Sequence, residues 1–443
     1  MFSLLTLLAL SPTPPSSHPV CPAAQGPTDK PGTSAFVAGT DGFVFRFSHD
    51  LTPPTPIRQP NLDLLALFTA VLQERGTRLV LVPLPPRGLV HSDKVDRADP
   101  IGATFDAAAL KNGWSAYLQQ LRSTGARVAD AAAEPLDGPF YFPADSHWST
   151  AGAKAGGRAI AKELADLPAP RRIFTSTEQG TVGIPDFMGQ KVAQLCDRRI
   201  PPSGRFPTFQ RNAPAGSLTD ELRPEIVLAG TSNSNVGQRD YVNFAGWIEE
   251  HSGLSVLNFG VVAGGAETSM LSVFRDTELW KTAPLALVWE LPTSAPFTDI
   301  GDLREFIALM EPPCTAANAL AEGRGLADGS PVLTLPATQK ISGTGWYVHI
   351  VTDPTLLKYM IDFNHGNNAP DRISVNRANR IEQNGVARAL LNPVRPKPLQ
   401  SISVTSREEG KTPPVTVRIC PTTSRALRQD PVADGTAVLP GAP

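Results

Sequence analysis

The sequence predicts an α/β protein: a parallel sheet with helices on both faces, followed by a C-terminal β-sandwich. Three observations predict it. Strand-like and helix-like patterns alternate from residue 36 to about residue 310. Short, wholly apolar runs such as 79–82 are typical of strands buried on both faces. After Pro312 and Pro313 helical periodicity stops, and short strands follow at close intervals.

Residues 43–47 read as a strand. Residues 62–74 carry apolar side chains at helical spacing, with Asn61 as a cap candidate and Gly76 just past the end. Residues 79–82 are the next strand, and 107–121 an amphipathic helix that stops before Gly125. Residues 150–164 form another helix, with Ser149 placed to cap it. Further apolar strands fall at 225–229, 255–259 and 285–290. The stretch 171–214, rich in Gly, Pro and Thr, breaks this rhythm and reads as an insertion of loops and hairpins.

In the C-terminal part, strands are expected at 332–335, 345–350, 358–363, 372–375, 401–404 and 415–419. Tyr359, Ile361 and Phe363 alternate with Met360 and Asp362, which gives one buried and one wetter face. The chain thus divides into 1–20, an α/β domain over 21–312, a β-module over 313–422, and a tail over 423–443 with too little apolar surface to order. A length of 443 residues suits two or three domains.

Formal net charge is only −2, which argues against a nucleic-acid partner. Residues 2–10 are apolar apart from Ser3 and Thr6, and Ala9 to Ser11 offer small residues for cleavage. This reads as a signal peptide, although no Lys or Arg precedes it, and places the protein in the periplasm or outside the cell. The four cysteines are Cys21, Cys196, Cys314 and Cys420. None pairs as CxxC, and three pairings are possible in principle. Cys21–Cys196 and Cys314–Cys420 are favoured, because each bridge then stays inside one domain. His49, His91, His251, His349 and His365 are scattered, with no metal-ligand spacing, so neither metal nor cofactor is expected. Gly264 and Gly265 form no dinucleotide fingerprint.

Two segments carry the chemistry. In the first, Asp145 and His147 lie two residues apart, immediately before the 150–164 helix. In the second, an apolar strand runs into Gly230, Thr231 and Ser232. A residue just past the end of a parallel strand faces the crevice where ligands bind. Serine needs a base to become nucleophilic, and histidine is the natural base near neutral pH. A carboxylate two residues away can fix the imidazole tautomer. Ser232, His147 and Asp145 thus fill the three roles of a triad, with Ser234 as a second serine in the same turn. Trp148 is expected to wall the site or pack against sugar. Arg87, after a strand end, borders the site or serves structure.

These segments resemble the AlgX/AlgJ family of alginate O-acetyltransferases, which have an SGNH-hydrolase-like domain with circularly permuted motifs. There the Asp-His pair precedes the Ser, as it does here. Further matches are Asp41 to Phe45, Leu81 to Arg87, Tyr141 to Trp148, Asn258 to Gly260 with Gly264 and Gly265, and Val288 to Glu290. The resemblance implies that Asp145, His147 and Ser232 are catalytic, and that backbone near Gly264 helps hold the oxyanion, with Asn258 lining the site. The family has an aromatic residue after the catalytic Ser, where this chain has Asn233. The AlgX branch also carries a C-terminal carbohydrate-binding β-module and a disulfide in each domain.

That module has an excess of cations: Arg372, Arg377, Arg380, Arg388, Arg395, Lys397, Arg407 and Lys411. A basic face suits a polyanionic polysaccharide, since guanidinium pairs bidentately with carboxylate. Trp346 and Tyr347 are candidates for stacking on sugar rings. The expected function is acetyl transfer from a donor protein or small molecule onto hydroxyls of an exopolysaccharide such as alginate. An acetylesterase with the same triad, or a non-catalytic binding protein of an export complex, remain alternatives.

Overall fold

The computed structural model describes residues 20–25, 35–197, 204–212, 224–236, 240–292, 300–366, 371–377, 384–393 and 397–428. The apolar run at 2–10, Arg380 and Arg395 lie outside these residues.

The predicted parallel sheet is present. Its five strands run in the spatial order Arg127–Val128, Arg78–Pro83, Ala286–Leu291, Ile226–Ala229, Val256–Asn258, and every neighbouring pair is parallel. Side chains alternate across the sheet because successive residues of a strand point to opposite faces. Leu79, Leu81, Val227, Leu287 and Trp289 pack on one face, against helices Gln59–Glu74, Ala107–Arg122, Gly265–Arg275 and Ile300–Met310. Val80, Val82, Ile226, Leu228 and Val288 pack on the other, against Thr150–Glu163 and Phe244–Ser252. Ser149 caps the Thr150–Glu163 helix, its Oγ accepting the N–H groups of Ala151 and Gly152. Asn61 is not a cap: the helix starts earlier, at Gln59, with Pro60 in its first turn, where a missing N–H costs nothing.

The insertion holds a bulged antiparallel hairpin, Thr175–Gly183 with Arg205–Asn212, and a helix, Phe187–Leu195. Cys196 ends that helix and is bonded to Cys21, while Cys314 is bonded to Cys420.

Two four-stranded antiparallel sheets form the C-terminal sandwich. One orders Ala321–Leu326, Pro414–Pro421, Trp346–Val351 and Val386–Leu390; the other Asp328–Thr334, Ser401–Ser406, Lys358–Asn364 and Asp371–Asn376. The first and the Val386–Leu390 strands were not legible, since glycine and arginine interrupt their apolar pattern. The sandwich packs directly on the Ile300–Met310 helix. Fully buried Arg304 donates to Leu390 O (2.7 Å) and pairs with Asp371 (2.9 Å).

The reading of the tail needs correction for residues 423–428. Ser424 donates to Glu74 Oε2 (2.6 Å), and the N–H groups of Arg425 and Ala426 also go to Glu74. A carboxylate at the start of the short Arg425–Arg428 helix thus takes its open donors, and Leu427 is buried. No helix among the described residues is long and apolar enough to cross a membrane.

Candidate active site

The site is built where two turns meet beyond the carboxyl ends of the sheet. The first runs from Tyr141 to Trp148, which close it as an antiparallel bridge. Phe142 N–H donates to His147 O (3.2 Å), and Ser149 N–H to Phe140 O (2.8 Å). The second turn leaves the Ile226–Ala229 strand at Gly230. Any side chain there would press on Glu290, whose Oε2 lies 2.7 Å from where a Cβ would stand.

Ser232 Oγ lies 2.8 Å from His147 Nε2, and His147 Nδ1 lies 2.5 Å from Asp145 Oδ1. Asp145 is buried and accepts two further N–H groups, from His147 to Oδ1 (2.8 Å) and from Phe187 to Oδ2 (2.7 Å). Burial acts to raise its pKa, but these hydrogen bonds outweigh burial and hold it below the usual carboxylate range. The carboxylate is therefore ionised and oriented toward the ring. Among the described residues no acceptor takes the Ser232 N–H, which leaves it available to a developing oxyanion.

Ser232 opens into a cleft of about 190 Å³, lined also by Arg46, His49, Asp50, Arg87, Tyr141 and Ser146. Ser234, the second serine of the turn, is fully buried and donates to Glu290 Oε2 (3.1 Å), so it does not face the cleft.

The other expected site residues act differently from their sequence reading. Trp148 is fully buried and meets no ligand-accessible space, a correction to its role as a sugar-packing wall. Its indole N–H donates to Asn233 O (2.8 Å) and its backbone N–H to Asn233 Oδ1 (3.1 Å). Arg87 is buried and clasps the acid turn, donating to Phe142 O (3.1 Å), Asp145 O (2.5 Å) and Pro143 O (2.7 Å). It sits over the rings of Phe43, Phe45 and Tyr141, and burial pushes its pKa down to about 10. Asn258 donates to Ser234 O (2.7 Å), bracing the Ser232 turn from the next strand. Gly264 is not an oxyanion donor here: its N–H is directed to Val261 O (3.4 Å).

In the sandwich, too, expected sugar-facing residues are turned inward. Tyr347 is buried, with its hydroxyl on Pro312 O (2.6 Å), and cannot stack on sugar. Arg377 pairs with Glu305, Arg388 donates to Glu311 O (2.7 Å), and Arg372 pairs with Asp362 (2.6 Å). Arg377 and Arg388 of the expected basic face are thus turned inward against the α/β domain, while Arg372 stays half-exposed on its Asp362 partner. Trp346 is half-buried and Lys397 exposed.

Glu290 had no role assigned from sequence. It is fully buried on the central Ala286–Leu291 strand and accepts Thr231 N–H (2.7 Å), Thr231 Oγ1 (2.8 Å) and Ser234 Oγ. Burial raises its pKa. The signal was a lone charge in an apolar strand, which needs partners to be tolerated.

Fold and site define the class, an SGNH-hydrolase-like α/β domain. Residues 36–293 match the family model described as the SGNH hydrolase-like domain of the acetyltransferase AlgX, and the chain belongs to that family. It is 27% identical over 363 residues to the alginate biosynthesis protein AlgX of Pseudomonas aeruginosa, covering 79% of this chain and 75% of that one. It is 25% identical over 285 residues to the "Probable alginate O-acetylase AlgJ" of the same organism, covering 59% and 70%. The solved structure of Pseudomonas aeruginosa AlgX shares the fold, with a TM-score of 0.77 at 24% identity, covering 91% of this chain and all of that one.

Proposed function

We propose that the protein is an exported O-acetyltransferase that moves acetyl groups onto hydroxyls of a polyuronate such as alginate. The observation that carries this reading is the Ser232–His147–Asp145 relay at the floor of an open cleft, in a chain of the AlgX family. The names of its relatives supply the polymer.

His147 takes the Ser232 proton as Oγ attacks the carbonyl carbon of the donor. The carbonyl oxygen gains the charge and is met by the Ser232 N–H. Asp145 stabilises the imidazolium. Collapse expels the donor's leaving group, which collects the proton from His147, and leaves acetyl-Ser232. A sugar hydroxyl then gives its proton to His147 and attacks the acetyl carbon, and the proton returns to Ser232 as the ester is released. Holding the polymer near the cleft raises the local hydroxyl concentration against water. The sandwich serves that holding, with Lys397 and Trp346 exposed enough to contact a chain. Two disulfides suit an oxidising compartment outside the cytoplasm.

The test is incubation with a chromogenic acetyl donor, with and without oligomannuronate. Acetylated oligosaccharide in the mass spectrum supports transfer. Donor loss without a sugar product supports an esterase instead. Donor turnover that survives Ser232→Ala at the wild-type rate removes the triad.

A further inference from the structure

We propose that Arg46 reads the carboxylate of the acceptor sugar, an inference that rests on the uronate-acceptor reading above. Arg46 lines the cleft that Ser232 opens into. It ends the Val44–Arg46 strand, and the chain turns at once through Phe47–Leu51, bringing Asp50 back beside it. Buried Asp50 accepts the Arg46 backbone N–H (2.6 Å), Nε (3.2 Å) and Nη2 (3.0 Å). The guanidinium is therefore gripped along one edge. Its Nη1 meets no acceptor among the described residues, and the side chain is 30% exposed. A planar fork held on one side and open on the other is pre-organised for a second carboxylate.

The charges around it favour an anion. Arg87 Nε lies 3.9 Å from the same Asp50 oxygen, so two guanidiniums share one carboxylate in this wall. Asp145, buried behind His147, is committed to that ring and to the Phe187 N–H. Burial and Arg46 lower the pKa of His49, which keeps its ring neutral and able to meet a sugar hydroxyl. In the sandwich Arg377 and Arg388 are bound to groups of the protein, and exposed Lys397 lies in a different domain from Ser232. The cleft cation stands beside the reacting hydroxyl, where reading the charge also sets which ring of the polymer is presented to acetyl-Ser232.

The experiment compares acetyl transfer to oligomannuronate and to its methyl ester, which is uncharged but otherwise alike. The wild type is expected to prefer the free acid by about 10- to 100-fold in kcat/KM, mainly through KM, as befits a hydrogen bond to a charged group. Arg46→Gln should abolish most of that preference, and Arg46→Lys should keep part of it. The ratio is internal to each protein, so a general loss of activity does not affect it. Equal use of both acceptors by the wild type overturns the proposal without any variant. So does an Arg46→Gln protein that keeps the wild-type ratio. A loss of donor turnover in Arg46→Gln that is equally large with no sugar present assigns the guanidinium to the acyl step and overturns it too. Transfer to neither sugar by the wild type sinks the transferase reading itself, and this inference with it.

Discussion

Trp148 donates both its indole and its backbone N–H to Asn233, so the residue after His147 is bonded to the residue after Ser232. These positions are 85 residues apart in sequence. The bonds place His147 and Ser232 side by side before any substrate arrives, and they explain why a large aromatic is kept out of the cleft.

Trp148→Phe should therefore slow the acyl step more than it weakens donor binding. The ring still fills its place, but Asn233 O loses its donor in a buried site, at about 1–3 kcal/mol. Expected are a fall in kcat of about 10- to 100-fold and little change in KM, read with a chromogenic acetyl ester.

Asp145→Asn should keep the fold and lose the chemistry. An amide cannot hold the ring in the tautomer that accepts the Ser232 proton. In the serine-protease triad this change costs about 10⁴ in kcat. Steady-state kinetics beside a circular dichroism melt checks it. Activity within about tenfold of wild type would dismiss Asp145 as the orienting carboxylate.

Breaking the Cys21–Cys196 bridge should act on the site as well as on stability. The helix that Cys196 ends supplies the Phe187 N–H to Asp145. The bridge closes a separation of 175 residues, for which loop-closure entropy predicts about 5 kcal/mol. The Cys21→Ser, Cys196→Ser protein should melt earlier and also turn over donor more slowly at temperatures where it remains folded.

Stability should carry a mark of Asp240. Its carboxyl accepts the Phe244 (2.8 Å) and Ala245 (3.1 Å) N–H groups, and burial pushes its pKa up to about 6, against an ordinary 3.8. The folded state thus holds this proton more tightly than the unfolded chain. Its contribution is fully present below pH 3.8 and is lost as pH rises through 6, about 3 kcal/mol in all. Asp240→Asn should flatten the denaturant-melt stability between about pH 4 and 6.

Arg304→Ala should loosen the sandwich from the α/β domain. It leaves Asp371 buried with its main cation gone, and losses on breaking a buried pair run to about 3–5 kcal/mol. Limited proteolysis should then cut between the Ile300–Met310 helix and the Ala321–Leu326 strand, where the wild type resists.

The sequence by itself determined the layered architecture and the candidate triad. Strand and helix periods are local, and so are the cap at Ser149, the strand that ends at Gly230 and the two-residue spacing of Asp145 and His147. Only the tertiary structure decided which polar groups face the cleft. Trp148, Tyr347, Arg377 and Arg388 read as ligand-facing residues by type, yet each is turned inward by a partner far along the chain. Arg46 and Glu290 carry no site role legible from their own segments, and become a cleft cation and the anchor of the Ser232 turn. The physical reason is that burying a polar side chain depends on whether a distant donor or acceptor arrives to satisfy it. That pairing is set by the three-dimensional packing of segments, and no local pattern encodes it.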